Sequence, residues 1–99
     1  MERYNSRALD EMARIVLPSE LRKKLGLESG DKLSMTLVDT IIILHRDSEA
    51  SATATCQVSD LGVIELPREL RQRLGWEVKD LIAVYHTDNV MILKRAEKE

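Results

Sequence analysis

The stretch Ile15-Val-Leu-Pro-Ser-Glu-Leu-Arg-Lys-Lys-Leu-Gly26 returns 49 positions later as Ile64-Glu-Leu-Pro-Arg-Glu-Leu-Arg-Gln-Arg-Leu-Gly75. A fixed offset with no insertion marks an internal repeat. Within one copy, Arg14 to Leu17 is short and rich in branched residues, which reads as a strand. Pro18 then stops the strand and supplies the φ suited to the first turn of a helix. That helix runs from Ser19 to Leu25. Glu20 sits near its positive N-terminal end, Arg22, Lys23 and Lys24 lie toward its negative end, and Gly26 permits a left-handed exit. Leu21 and Leu25, four apart, form its apolar side.

Upstream, a strand is expected around Ser6 to Asp10, reversing through Glu11-Met12-Ala13. Downstream, Glu28-Ser-Gly-Asp31 turns into an alternating strand, Lys32 to Leu37. Asp39-Thr40 then turns it back into the buried strand Ile41-Ile-Ile-Leu44. The offset lays Arg7 to Arg46 over Cys56 to Arg95, so the β-β-α-β-β plan recurs, with Gly62 in the first turn and Asp88-Asn89 at the last hairpin. Between the copies, Asp47-Ser-Glu-Ala-Ser-Ala-Thr-Ala-Thr55 is small and polar, with no large apolar residue to anchor it. Residues 1–46 therefore read as a first repeat, 47–54 as a linker and 55–99 as a second repeat.

A chain of 99 residues that is 43% hydrophobic can fill one modest core, not two. A unit of about 40 residues with one short helix hardly offsets its own chain entropy, so each copy needs a partner. The tandem supplies it covalently. The expected architecture is mainly β with two short helices: strands of both copies interleave into one closed barrel with pseudo-twofold symmetry, leaving no exposed strand edge.

Fifteen basic and 17 acidic residues give a net charge of −2, so any site for a polyanion is local. The single cysteine, Cys56, excludes an internal disulfide and fits a reducing compartment. No segment approaches the roughly 20 apolar residues needed to cross a bilayer, and the polar start Met1-Glu-Arg-Tyr-Asn-Ser6 lacks a secretory signal. A cytoplasmic protein is expected. Three aromatic residues, Tyr4, Trp76 and Tyr85, argue against single-strand stacking platforms, and Trp76 reads as a plug of the core. His45 and His86 occupy unmatched positions with no neighbouring ligand, so no metal or cofactor site is read, and no nucleophile, base and orienting residue recur together as an enzyme requires.

The run Arg7-x-x-Asp-Glu-x-x-Arg-Ile-Val-Leu-Pro-x-Glu-Leu-Arg-Lys-x-Leu-Gly26, followed by Gly30-Asp31 and the Ile-Ile-Leu hairpin, resembles the SpoVT/AbrB family of swapped-hairpin barrels. That family includes transition-state regulators and the MazE-like antitoxins. The resemblance covers Ser6 to Arg46 and again Thr55 to Arg95. It implies that two β-β-α-β-β units interlock and that basic residues flanking the first hairpin and on the helix bind double-stranded DNA. The matching positions in the first copy are Arg7, Arg14, Arg22 and Lys23; in the second they are Cys56, Val63, Arg71 and Gln72, so only Arg71 stays basic.

Glu65 replaces Val16 in the second copy, adding an acid to the strand face of Val63. From Arg7 to Lys24 there are five basic and three acidic residues, against three of each from Cys56 to Arg73. Each phosphate left without a cation to neutralise it means fewer counterions released and weaker binding, so the first copy is expected to read DNA and the second to complete the barrel. Two chains would then associate on a palindromic site. Two other functions remain open: an antitoxin bound to a toxin partner, although only Ala96-Glu-Lys-Glu99 follows the last strand, and a barrel used for oligomerisation or protein interaction without DNA.

Overall fold

Pro18 stands just before the first helix with φ −55° and ψ 137°, and its carbonyl accepts from Arg22 N at 3.0 Å, starting the helix at Ser19. Gly26 ends it at φ 65° and ψ 32°, a conformation that costs a side-chain-bearing residue more. Arg46 Nη1 donates to the otherwise spare carbonyl of Leu25. The second helix repeats the arrangement between Pro67 and Gly75, with Arg95 Nη1 donating to Gly75 O at 3.1 Å. Arg46 and Arg95 are 49 residues apart, so the same position clamps both helix ends.

The computed structural model describes residues 2–46, 52–87 and 90–96, Asn5 by its backbone only. Its elements run β1 (Glu2–Ala8), β2 (Arg14–Val16), α1 (Ser19–Leu25), β3 (Lys32–Val38), β4 (Ile41–His45), β5 (Ala54–Gln57), β6 (Val63–Glu65), α2 (Arg68–Leu74), β7 (Leu81–Thr87) and β8 (Val90–Arg95). The first strand begins four residues before the expected Ser6 because Glu2, Arg3 and Tyr4 find ladder partners in His86, Tyr85 and Val84, which local pattern does not reveal. Of the linker read over 47–54, residues 47–51 lie outside the described residues, as does the Asp88-Asn89 turn, and Ala54 already belongs to β5 through its pairing with Met35.

Six strands form one sheet in the order β1-β7-β8-β4-β3-β5, and β2 pairs with β6 in a separate ribbon. At the centre β4 and β8 run antiparallel, placing Ile42 opposite Leu93 and Leu44 opposite Met91, all four fully buried. Each half lends its first strand to the other: β1 pairs with β7, and β5 with β3. One apolar cluster contains side chains of both halves, including Leu17, Leu21, Leu33, Ile64, Leu66, Leu70 and Trp76. Full burial of a leucine or isoleucine contributes about 2 kcal/mol, so each half relies on apolar area supplied by the other.

The fold is mainly β with two short helices, but the expected closure by hydrogen bonds around a full barrel is absent among the described residues. β1 and β5 are the edges of the six-stranded ladder. The ribbon covers the open side by packing instead, inserting Ile15 and Ile64 at 1% and 0% exposure. Three-residue strands are the physical reason: β2 and β6 spend their backbone groups on each other. The turns leading into them close with the backbone bonds Asp10 N to Arg14 O and Ser59 N to Val63 O.

Candidate nucleic-acid interface

The first hairpin is shaped by Asp10. Its Oδ1 accepts from Met12 N at 2.9 Å and Arg14 N at 2.8 Å, and its Oδ2 from Arg14 Nε at 2.9 Å. These bonds, the one from the Arg14 backbone foremost, hold the carboxyl below its ordinary value. Arg14 is thereby aimed by the turn that precedes it, while its side chain stays 47% exposed. In the second hairpin Ser59 takes the same role through its hydroxyl, which accepts from Leu61 N and Val63 N, but no arginine follows.

Arg14 opens β2, and the ladder sets it directly opposite Glu65, with Val16 opposite Val63. Directly opposed residues share one face of a ribbon at about 5 Å between Cβ atoms. Because Ile15 and Ile64 point inward, Arg14, Val16, Val63 and Glu65 line the outer face. Glu65 therefore sets a negative charge across from the first half's arginine. Sequence reading placed Glu65 on a face with Val63 but not against Arg14, since the partner strand is 49 residues away.

Arg22 and Lys23 sit on α1, the first half-buried and the second exposed. Arg22 Nε donates to Leu17 O at 3.2 Å, and its guanidinium lies against Gly62 in the turn of the other half. Part of its donor capacity is thus used internally. Arg71, its counterpart on α2, is half-buried with an Nε that has no hydrogen-bond partner among the described residues. Arg7 is exposed on the edge strand β1 in register with Ile82, whereas Cys56, at the matching place on β5, is half-buried and its thiol is pushed up to about 11 by desolvation. The five candidate residues are spread over β1, β2, α1 and α2.

Other basic groups escape sequence reading. Lys24 Nζ reaches the Glu2 carboxylate at 2.7 and 2.9 Å, and Tyr4 donates to the same group at 3.0 Å, tying the N-terminal strand to α1. That hydrogen bond from Lys24 is the main reason the Glu2 carboxyl is lowered and the Lys24 ammonium raised. Arg3 lies over the Tyr85 ring, 5.8 Å from its centre. Spacing carries no trace of either contact. Trp76 is 5% exposed and belongs to the core. Among the described residues no three metal-ligating side chains converge, and no helix is long and apolar enough to cross a membrane.

Comparison with known proteins gives three likenesses. A family model described as antidote-toxin recognition MazE, bacterial antitoxin, matches residues 9–51. The transition state regulatory protein AbrB of Bacillus subtilis (strain 168) is 40% identical over 53 residues, 54% of this chain. The chain spans about half the length of that relative, 52% of it. The solution structure of PHS018 from Pyrococcus horikoshii superposes with a TM-score of 0.59, covering 99% of this chain and all of the other at 20% identity, which is a likeness of fold. The matched family and relative are described as an antitoxin and a regulator, neither of them an enzyme.

Proposed function

We propose that this chain is a cytoplasmic transcription regulator of the AbrB type, built from two fused repeats, that binds double-stranded DNA mainly through its first repeat. The observation that carries the reading is the charge difference between places the fold makes equivalent: Arg7 against Cys56, Arg14 against Val63, Lys23 against Gln72. Packing does not demand it, because Arg14 and Lys23 are exposed. Arg7, Arg14 and Lys23 engage phosphates or groove edges, Arg22 contributes the donors that Leu17 does not occupy, and half-buried Arg71 adds least. Likeness to AbrB over half the chain supports the same assignment.

The test is anisotropy titration against a mixed pool of duplexes at several salt concentrations. Arg14→Ala and Lys23→Ala each weaken binding and flatten the salt slope by about one, as expected when one phosphate is no longer neutralised. Arg71→Ala changes little. Wild-type binding that is insensitive to salt, or unaffected by both first-repeat substitutions, overturns the proposal.

A second reading rests on the antitoxin family match over residues 9–51. In it the same first repeat belongs to a toxin-neutralising pair, and the chain co-purifies with a small ribonuclease encoded beside it. Expression of the chain with its flanking genes and pull-down of the complex separates the two.

A further inference from the structure

At the exit of α2, the turn Glu77-Val78-Lys79-Asp80 and the start of β7 border a broad open groove whose lining includes Thr40, Trp76, Val78, Leu81, Lys94 and Ala96. Val78 is 41% exposed and Leu81 52%. The same turn in the first half reads Glu28-Ser29-Gly30-Asp31, and Lys32 stands where Leu81 does. Both turns are built alike: Asp31 Oδ2 accepts from Glu28 N at 2.8 Å, and Asp80 Oδ2 from Glu77 N at 2.9 Å. Ser29 and Lys32 are exposed in that identical setting, so the fold itself does not ask for Val78 and Leu81.

Two further differences are concentrated here. Ser29 Oγ hydrogen-bonds to Asp60 at the tip of the second hairpin, and valine at 78 can offer no such bond to Glu11, the residue in the matching place. Lys79 has φ 74°, where the first half uses Gly30 at φ 90°. A side chain in that conformation is strained, and strain kept at a surface position where glycine serves elsewhere points to a use for the side chain.

We propose that this face is where two copies of the chain meet about a twofold axis passing close to Val78. An isologous contact must be self-complementary, and the exposed triplet Glu77-Val78-Lys79 is: the axis brings Glu77 of each copy to Lys79 of the other, with Val78 and Leu81 covered between them. A polyanion is a poor occupant of a surface that carries Glu77 and Asp80 beside its lysines. The pairing rests on and deepens the regulator reading, because it gives one particle two basic first repeats and so the means to grip a two-fold site.

The experiment is sedimentation equilibrium of the full chain from about 1 to 100 μM, without DNA. Wild type follows a monomer–dimer equilibrium. Val78→Ser with Leu81→Lys, the residues the first half itself tolerates at these places, weakens the dimer at least tenfold while leaving the thermal unfolding cooperative. Lys79→Glu weakens it as well, and adding Glu77→Lys restores it. Lys79→Gly relieves the strained backbone, so it raises the unfolding midpoint and still weakens the dimer. A wild-type monomer at 100 μM, or a Val78→Ser/Leu81→Lys chain that dimerises like wild type, overturns the proposal. A dimer that ignores DNA sinks the regulator reading alone, and a monomer that binds DNA sinks this interface alone.

Discussion

The guanidinium of Arg22 rests on the backbone of Gly62: a Cβ added there would lie 2.7 Å from Nη1 and closer still to Cζ and Nε. Ala13 occupies the matching turn of the first half, at φ 59° against 75° for Gly62. The arginine that corresponds to Arg22 on α2, Arg71, has a buried Nε lacking a partner among the described residues, whereas Arg22 Nε reaches Leu17 O. Glycine in one turn and alanine in the other thus accompany an engaged arginine and an unengaged one.

Gly62→Ala therefore strains a left-handed residue and displaces Arg22 from Leu17. The expected loss is about 1 kcal/mol or somewhat more. Urea unfolding measures it, and Arg22→Ala combined with Gly62→Ala separates the backbone strain from the clash.

Glu65 across from Arg14 should oppose phosphate binding on the ribbon face. Under the regulator reading, Glu65→Val, which installs the residue the first repeat has at that place, tightens DNA binding about three- to fivefold at moderate salt, as expected for removing one exposed like-signed charge near a phosphate. Anisotropy titration of Glu65→Val and Glu65→Gln side by side reads it, since both remove the charge and only one adds apolar surface.

Asp10 accepts best as a carboxylate, and the bonds from Arg14 and Met12 hold its folded-state pKa below the ordinary 3.8. A lowered carboxyl contributes stability that is present in full above the ordinary value and is lost as pH falls through the lowered one. The Met12 and Arg14 amides should accordingly exchange faster on acidification below about pH 4, while amides of β4 and β8 at the sheet centre stay protected. Asp10→Ala, which removes the acceptor altogether, should show the fast exchange already at neutral pH.

Arg46 ties the end of α1 to the sheet through Leu25 O. Arg46→Ala frees that carbonyl and removes a positive charge from the helix C-terminus, at a cost of about 1 kcal/mol. Thermal unfolding checks it, with Arg95→Ala as the companion, since Arg95 also lies 3.4 Å from Asp80 Oδ2.

Cys56 is half-buried with its thiol raised to about 11, so little thiolate exists at pH 8. Iodoacetamide should modify the native chain slowly and the urea-unfolded chain fast. Equal rates in both states would place Cys56 outside the packed wall of the sheet.

The helices between Pro18 and Gly26 and between Pro67 and Gly75, and the hairpin of Lys32 to Leu44, were legible in the residues alone, because each depends on neighbours a few positions apart: a fixed φ, a left-handed exit, an apolar period. The basic character of Arg7, Arg14 and Lys23 was legible for the same reason. Tertiary structure alone decided which strand meets which. Pairing of β2 with β6 set Glu65 against Arg14, pairing of β1 with β7 drew the first strand back to Glu2, and α1 reaching the opposite hairpin put Arg22 over Gly62. Those pairings join residues 40 or more positions apart, where the only guide is the apolar area that both halves must bury together. That area fixes the partners only once the whole chain has collapsed around it.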